Sequence, residues 1–226
     1  MNTVGFDEVF LEKVENKNFK VSDRKMIHNV VLNTMRYYLF IDEVIKQFSN
    51  KLNKSSNSYY LLLSAITQLL ILNFKDFAVI NSTVELAKDK RINAPTKFIN
   101  AILRNINRNK SELSKINYNF SKLPLWFTKR VSSWNTNQKN KFIRTICEEP
   151  DLHIVFKNKK DINKITSNKI QTSDHSIVIK KSISIKNIEG FKEGLWWVQD
   201  FAAMMPLYLI KNIKNKYVAD VCAAPG

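Results

Sequence analysis

The sequence predicts a mainly α-helical protein whose last third turns into mixed α and β structure. Three observations carry this. Up to about residue 118, apolar residues recur at three- to four-residue spacing, as in Ile27, Val31, Met35 and Tyr38, and again in Phe77, Ile80, Val84 and Ala87; such spacing builds one apolar stripe per helix. After residue 150, "LHIVFK" and "SIVIKKSISIK" have the β-branched, period-two pattern of strands. The chain then closes on "KYVADVCAAPG", a short apolar strand running into a small-residue turn.

The stripes define helices near 4–15, 22–37, 39–49, 57–73, 77–90 and 95–110. The run "LLLSAITQLLIL", Leu61 to Leu72, is apolar nearly all round and is the natural central helix of this set. It is well short of the roughly 20 residues needed to cross a bilayer. Asp76 is expected to cap the helix after it, and Pro95 to sit in a first turn, where a missing N–H costs little. "LPLWFTKRVSSW" and "NTNQKNKFIRTIC" suggest two further helices. From Phe191 a third pattern begins: a strand over 195–198, a helix over 200–213 and a strand over 217–221. The expected domains are therefore 1–118, all helical; 119–190, a small α+β connector; and 191–226, the start of an α/β unit.

Composition narrows the function. The formal net charge is +16, a surplus that draws polyanions and makes nucleic acid the first partner to consider. An AT-rich coding bias yields the same mixture of lysine, asparagine and isoleucine, so position has to decide. Between Lys88 and Lys115 the surplus is concentrated, and on the helix beginning near Pro95 the residues Lys97, Ala101, Arg104 and Arg108 lie along one face while Phe98, Ile102 and Ile106 point another way. A phosphate-tracking surface needs that segregation, because guanidinium groups must reach backbone oxygens from an anchored helix; a merely solvated face would share it. Lys97, Arg104 and Arg108, with Arg24, are the RNA-binding candidates. A second surplus runs from Lys157 to Lys192.

Cys147 and Cys222 are far apart, and His28, His153 and His175 are scattered, so no metal site and no disulfide framework is suggested. The start of the chain lacks the pattern of an export signal, so a cytoplasmic location without membrane attachment is expected.

Several stretches together resemble a known family. "DRKMIHNVVLNTMRYYLFIDEVI", "YYLLLSAITQLLILNFKDFAVINSTVELAK" and "KFINAILRNINR" resemble the NusB-like helical domain, and "WWVQDFAAMMPLYLI" with "VADVCAAPG" resembles the start of the catalytic domain of RsmB/Sun-type ribosomal RNA cytosine-5 methyltransferases. The resemblance implies a NusB-like RNA-binding bundle, a linker domain, and the first elements of a Rossmann-like domain that binds S-adenosylmethionine. It implies ribosomal RNA as partner and Cys222, Ala223, Ala224, Pro225 and Gly226 as the opening of the cofactor loop, where small residues let backbone amides approach the donor. Asp220 is expected to hold that loop, and Gln199 and Asp200 to cap the helix before the strand and brace the site.

Cytosine C5 is a poor nucleophile, and its methylation is usually enabled by a thiolate adding to C6. Neither Cys147 nor Cys222 fits that place, so no catalytic residue is assigned and the nucleophile is expected beyond Gly226. The chain is thus expected to be the front part of a longer enzyme, monomeric and inactive alone, with residues from about 191 onward poorly ordered or misplaced, since a first parallel strand lacks neighbours. The competing reading is a stand-alone NusB-like antitermination module, which has no use for "WWVQD" and "DVCAAPG".

Overall fold

The computed structural model describes residues 5–113, 120–179, 185–210, 214–219 and 221. The chain forms two compact units, Met1–Cys147 and Glu148–Gly226.

In the first unit, α1 (Phe6–Phe10) continues as a π-helical turn (Leu11–Glu15) and is followed by α2 (Val21–Arg36), α3 (Tyr38–Phe48) and α4 (Asn57–Ile66). After these come α5 (Asp76–Ala87), α6 (Thr96–Arg108), the short α7 (Lys110–Leu113), α8 (Leu125–Arg130) and α9 (Thr136–Cys147). The predicted bundle is present, and the apolar run is its centre: α4 packs against α2, α3, α5 and α6. Leu62 and Ile66 of α4 meet Ile41 and Ile45 of α3 and Ile99, Leu103 and Ile106 of α6 in one core, all of them almost wholly removed from water. Ser56 starts α4 by accepting a hydrogen bond from the Tyr59 amide at 3.2 Å, which satisfies one of the orphan donors of a helix start.

The helix expected over 57–73 changes character at Thr67, where Thr67–Ile71 is π-helical. The cause is local. Thr67 Oγ1 donates to the Leu63 carbonyl and lies 2.8 Å from Thr34 Oγ1 of α2, and the Leu72 amide donates to the Thr67 carbonyl, five residues back. An extra residue in the turn is how a helix absorbs such competition.

Three expectations are corrected here. Asp76 does not cap α5: it is the first helical residue, and Lys75 occupies the cap position without a side-chain bond. Phe77 and Met35, assigned to apolar stripes, are 68% and 59% exposed. Phe77 sits in the first turn of α5, ahead of the buried Val79 and Ile80, and on α2 the buried position is Val30. Helices α8 and α9, expected in the connector, fall in the first unit. Phe120, Phe127, Trp134 and Phe142 cluster there with ring centroids 4.9–6.4 Å apart, and Lys122 ties the stretch to α3 through Glu43 at 3.3 Å.

The second unit is a four-stranded antiparallel sheet made of β1 (Leu152–Phe156), β2 (Lys169–Ser173), β3 (Ser176–Ile179) and β4 (Trp196–Val198), in spatial order β2-β3-β1-β4, followed by α10 (Phe201–Leu209). Ile154, Phe156, Ile177, Ile179 and Trp196 form its core with Ile162, Ile165 and Ile188 from the connecting turns. The interior strand β3 is buried at all four residues, so the alternation read from the sequence is not an alternation of exposure.

Here too an expectation is overturned. Residues 195–198, read as a strand of a separate unit beginning near 191, instead join the sheet of this unit over 196–198, antiparallel to β1, with Phe156 facing Trp196 and Ile154 facing Val198. Trp196 is fastened further by its indole N–H, which donates to the Glu189 carbonyl at 2.7 Å. Residues 217–219, read as a strand, have no regular structure, and Tyr217, Val218 and Val221 are exposed. Asp220 and Cys222–Gly226 lie outside the described residues.

Candidate nucleic-acid interface

Helix α6 is the most sharply two-sided element of the first unit. Ile99, Ile102, Leu103 and Ile106 are buried, while Lys97, Ala101, Arg104 and Arg108 are exposed. The hydrophobic effect therefore fixes the rotation of the helix about its axis, and the cations are held outward as a consequence. Pro95, at the cap position, removes an N–H that no intrahelical carbonyl would meet.

Several neighbouring cations are already matched. Lys88 pairs with Glu85 at 2.6 Å, Arg91 with Asp89 at 2.6 Å and Lys110 with Asp76 at 3.2 Å. Lys97, Arg104 and Arg108 have no carboxylate partner among the described residues, and Arg104 Nε donates to Asn100 Oδ1 one turn back at 3.0 Å. Such an arrangement leaves the outer face of α6 with uncompensated positive charge.

Between α5 and α6 lies a groove of about 500 Å3, lined by Lys75, Phe77, Ile80, Arg104, Asn107 and Arg108, among others. It brings together Arg104 and Arg108 from the predicted set. The other two stand elsewhere: Lys97 is exposed on the first turn of α6, outside this groove, and the half-buried Arg24 lines a second groove of about 330 Å3 with Phe10, Val21, Lys25 and His28. Sequence reasoning missed Lys75, Phe77 and Asn107. Phe77 carried a usable signal, because a helix starting at Asp76 puts it in the first turn, two residues before the buried stripe begins at Val79.

The second basic stretch is smaller than its sequence. Lys164 pairs with Asp161 at 2.7 Å, and Lys169 turns its ammonium onto the carbonyls of Ile162 and Ile165, both at 2.6 Å. Lys180 and Lys181 lie outside the described residues. Lys157, Lys159, Lys160, Lys186 and Lys192 remain exposed.

The Val198-Gln199-Asp200 segment joins β4 to α10. Asp200 caps α10 by accepting from the Ala202 amide at 3.0 Å, Gln199 accepts from the Trp197 indole at 2.7 Å, and His153 of β1 lies beside both, taking the Gln199 amide on its carbonyl at 3.2 Å and the Phe201 amide on Nδ1 at 3.4 Å. The segment is bound to its own sheet and helix. Residues 222–226, the cofactor-loop candidates, lie outside the described residues, and no contact with a donor is assigned to them. Among the described residues no cluster of His, Cys, Asp or Glu could hold a metal ion, and no helix is long and apolar enough to cross a membrane.

Residues 4–108 match the NusB family. A protein of Coxiella burnetii (strain RSA 493 / Nine Mile phase I) named "Probable ribosomal RNA small subunit methyltransferase B" is 24% identical over 251 aligned positions, covering 100% of this chain and 58% of that protein. The "Ribosomal RNA small subunit methyltransferase B" of Shewanella oneidensis is 26% identical, covering 74% and 42%, and that of Pseudomonas putida 25% identical, covering 96% and 52%. The chain spans about half the length of the curated relatives it matches. A NusB-family match over 4–108 and relatives of this one name aligning with up to the whole chain are what this sequence is similar to.

Proposed function

We propose that this chain is the RNA-gripping part of an S-adenosylmethionine-dependent ribosomal RNA cytosine-C5 methyltransferase of the small subunit, acting as a monomer in the cytoplasm. The observation that carries the reading is the segregation on α6, where Arg104 and Arg108 stand exposed above a seam of buried isoleucines and leucine inside a NusB-family domain. Guanidinium groups one turn apart on a rigid helix meet successive phosphate oxygens with charge-assisted hydrogen bonds. The relatives' name supports ribosomal RNA as the polyanion, and their greater length supports a nucleophilic cysteine and a complete donor site outside these 226 residues. Cys222–Gly226 would open the donor loop, and the donor would supply the electrophilic methyl group. A stand-alone antitermination module accounts for residues 4–108 alone, whereas the match to the Coxiella burnetii protein covers the whole chain.

The test is RNA affinity as a function of salt together with methyl transfer. The 226-residue chain binds structured small-subunit ribosomal RNA with a steep salt dependence and transfers no methyl group from the donor. Replacing Arg104 and Arg108 together by alanine lowers the salt slope by about 0.7 per lost contact on single-stranded RNA and leaves the helical content unchanged. An unaltered slope, or turnover by the chain alone, overturns the assignment.

A further inference from the structure

The groove between α5 and α6 has a composition that phosphate binding does not need. Its apolar part is Phe77 and Ile80, and Phe77 is 68% exposed at the start of α5, an aromatic ring held in water beside two arginines. Its volume of about 500 Å3 lies within the roughly 300–1,000 Å3 of small-ligand sites. Asn107, on the α6 wall, adds a polar amide side chain to the lining. Lys75, Arg104 and Arg108 supply three positive charges, and Asp76 is neutralised by Lys110 at 3.2 Å. A planar apolar face, an amide side chain and a cationic rim, each lining one groove, match the three parts of a nucleotide: its ring, its polar edge and its phosphates.

We propose that this groove seats one unstacked base of an RNA strand, with the base on the Phe77 ring, its edge toward the Asn107 amide, and the flanking phosphates on Arg104 and Arg108. The inference rests on the RNA-binding reading above and adds to it a preference: the protein takes RNA at a loop, bulge or single-stranded stretch and not along a continuous duplex. Stacking on an aromatic side chain is tolerant of base identity, since every base has a π face. Sequence-specific RNA recognition uses splayed-out bases for the same geometric reason, because the deep, narrow major groove of an A-form duplex hides base edges.

The experiment measures binding of the full 226-residue chain to a short single-stranded RNA and to a blunt duplex of equal length, at several salt concentrations. Phe77→Ala weakens the single strand about tenfold, in line with the loss of one stacked base, with the salt slope and the duplex affinity unchanged. Phe77→Tyr restores the single-strand affinity. The Arg104→Ala/Arg108→Ala variant lowers affinity and slope for both RNAs. If Phe77→Ala has no effect while the arginine variant does, or if it weakens both RNAs alike, the base seat is wrong and the RNA-binding face stands; the groove then suits a protein ligand. If neither variant alters binding, the RNA-binding reading fails and the seat with it.

Discussion

Lys110 reaches back 34 residues to place its ammonium 3.2 Å from the carboxylate of Asp76, a lining residue of the basic groove, so that the start of α7 is tied to the start of α5. The pair is half exposed, with side-chain accessibilities of 31% and 41%, and such pairs contribute little to stability, about 0–1 kcal/mol. Its weight is electrostatic. Lys110→Ala leaves a carboxylate uncompensated beside Arg104 and Arg108, and RNA affinity is expected to fall several-fold while the unfolding midpoint in urea hardly moves. A large loss of stability with unchanged affinity would contradict this division.

Ile106 is fully buried directly beneath the arginine face. Ile106→Ala opens a cavity in the core and should cost about 2–5 kcal/mol. Because the cations of α6 remain, the salt slope of RNA binding by the folded fraction stays at its original value. Denaturant unfolding and a salt titration on the same variant separate anchoring from contact.

Asp42 on α3 is 4% exposed yet charged. Burial pushes its carboxyl up, but hydrogen bonds from Lys46, Lys54 and the Tyr59 hydroxyl outweigh this and hold its pKa at about 2. The folded-state value lies below the unfolded 3.8, so the stabilisation, on the order of 2 kcal/mol, is complete above the unfolded value and is lost as pH falls from about 4 through about 2. Burial, and then the same carboxylate, push the Tyr59 hydroxyl above its ordinary range. Asp42→Asn should destabilise the helical unit at neutral pH and flatten the acid limb of its stability curve, read by urea denaturation at a series of pH values.

Trp196 joins β4 to the turn before it through the 2.7 Å bond to the Glu189 carbonyl. Trp196→Phe keeps the ring burial and removes that donor, leaving a carbonyl to be satisfied by solvent. The expected loss is about 1 kcal/mol confined to the second unit. Hydrogen exchange at 152–156 and 196–198 should accelerate, with α3 and α6 unaffected.

The bundle was legible in sequence because long amphipathic helices declare themselves through period: α2, α3, α5 and α6 begin and end within a few residues of their expected bounds, and α4 does so once its π-helical turn is counted. What escaped depended on side chains choosing between partners. Thr67 could be read as one more helical residue; only its meeting with Thr34 makes the π turn. Lys169 counts as a surface charge by composition, yet its ammonium caps two carbonyls. Trp196 and Val198 look like the opening of a new sheet, since strand pairing is nonlocal and three residues say nothing of their partner. At the interface, the arginine face was readable from segregation along α6, whereas Phe77 and Lys75 join it only through the packing of α5 on α6.

The sheet of the second unit ends in β4, whose pairing with β1 covers three residues, and on its other side in β2, whose register slips between Gln171 and Ser173. A short margin on one flank and a kinked one on the other offer no long flat template for strand addition. Open sheets are common sources of intermolecular aggregation, and this one carries its own safeguard at both rims.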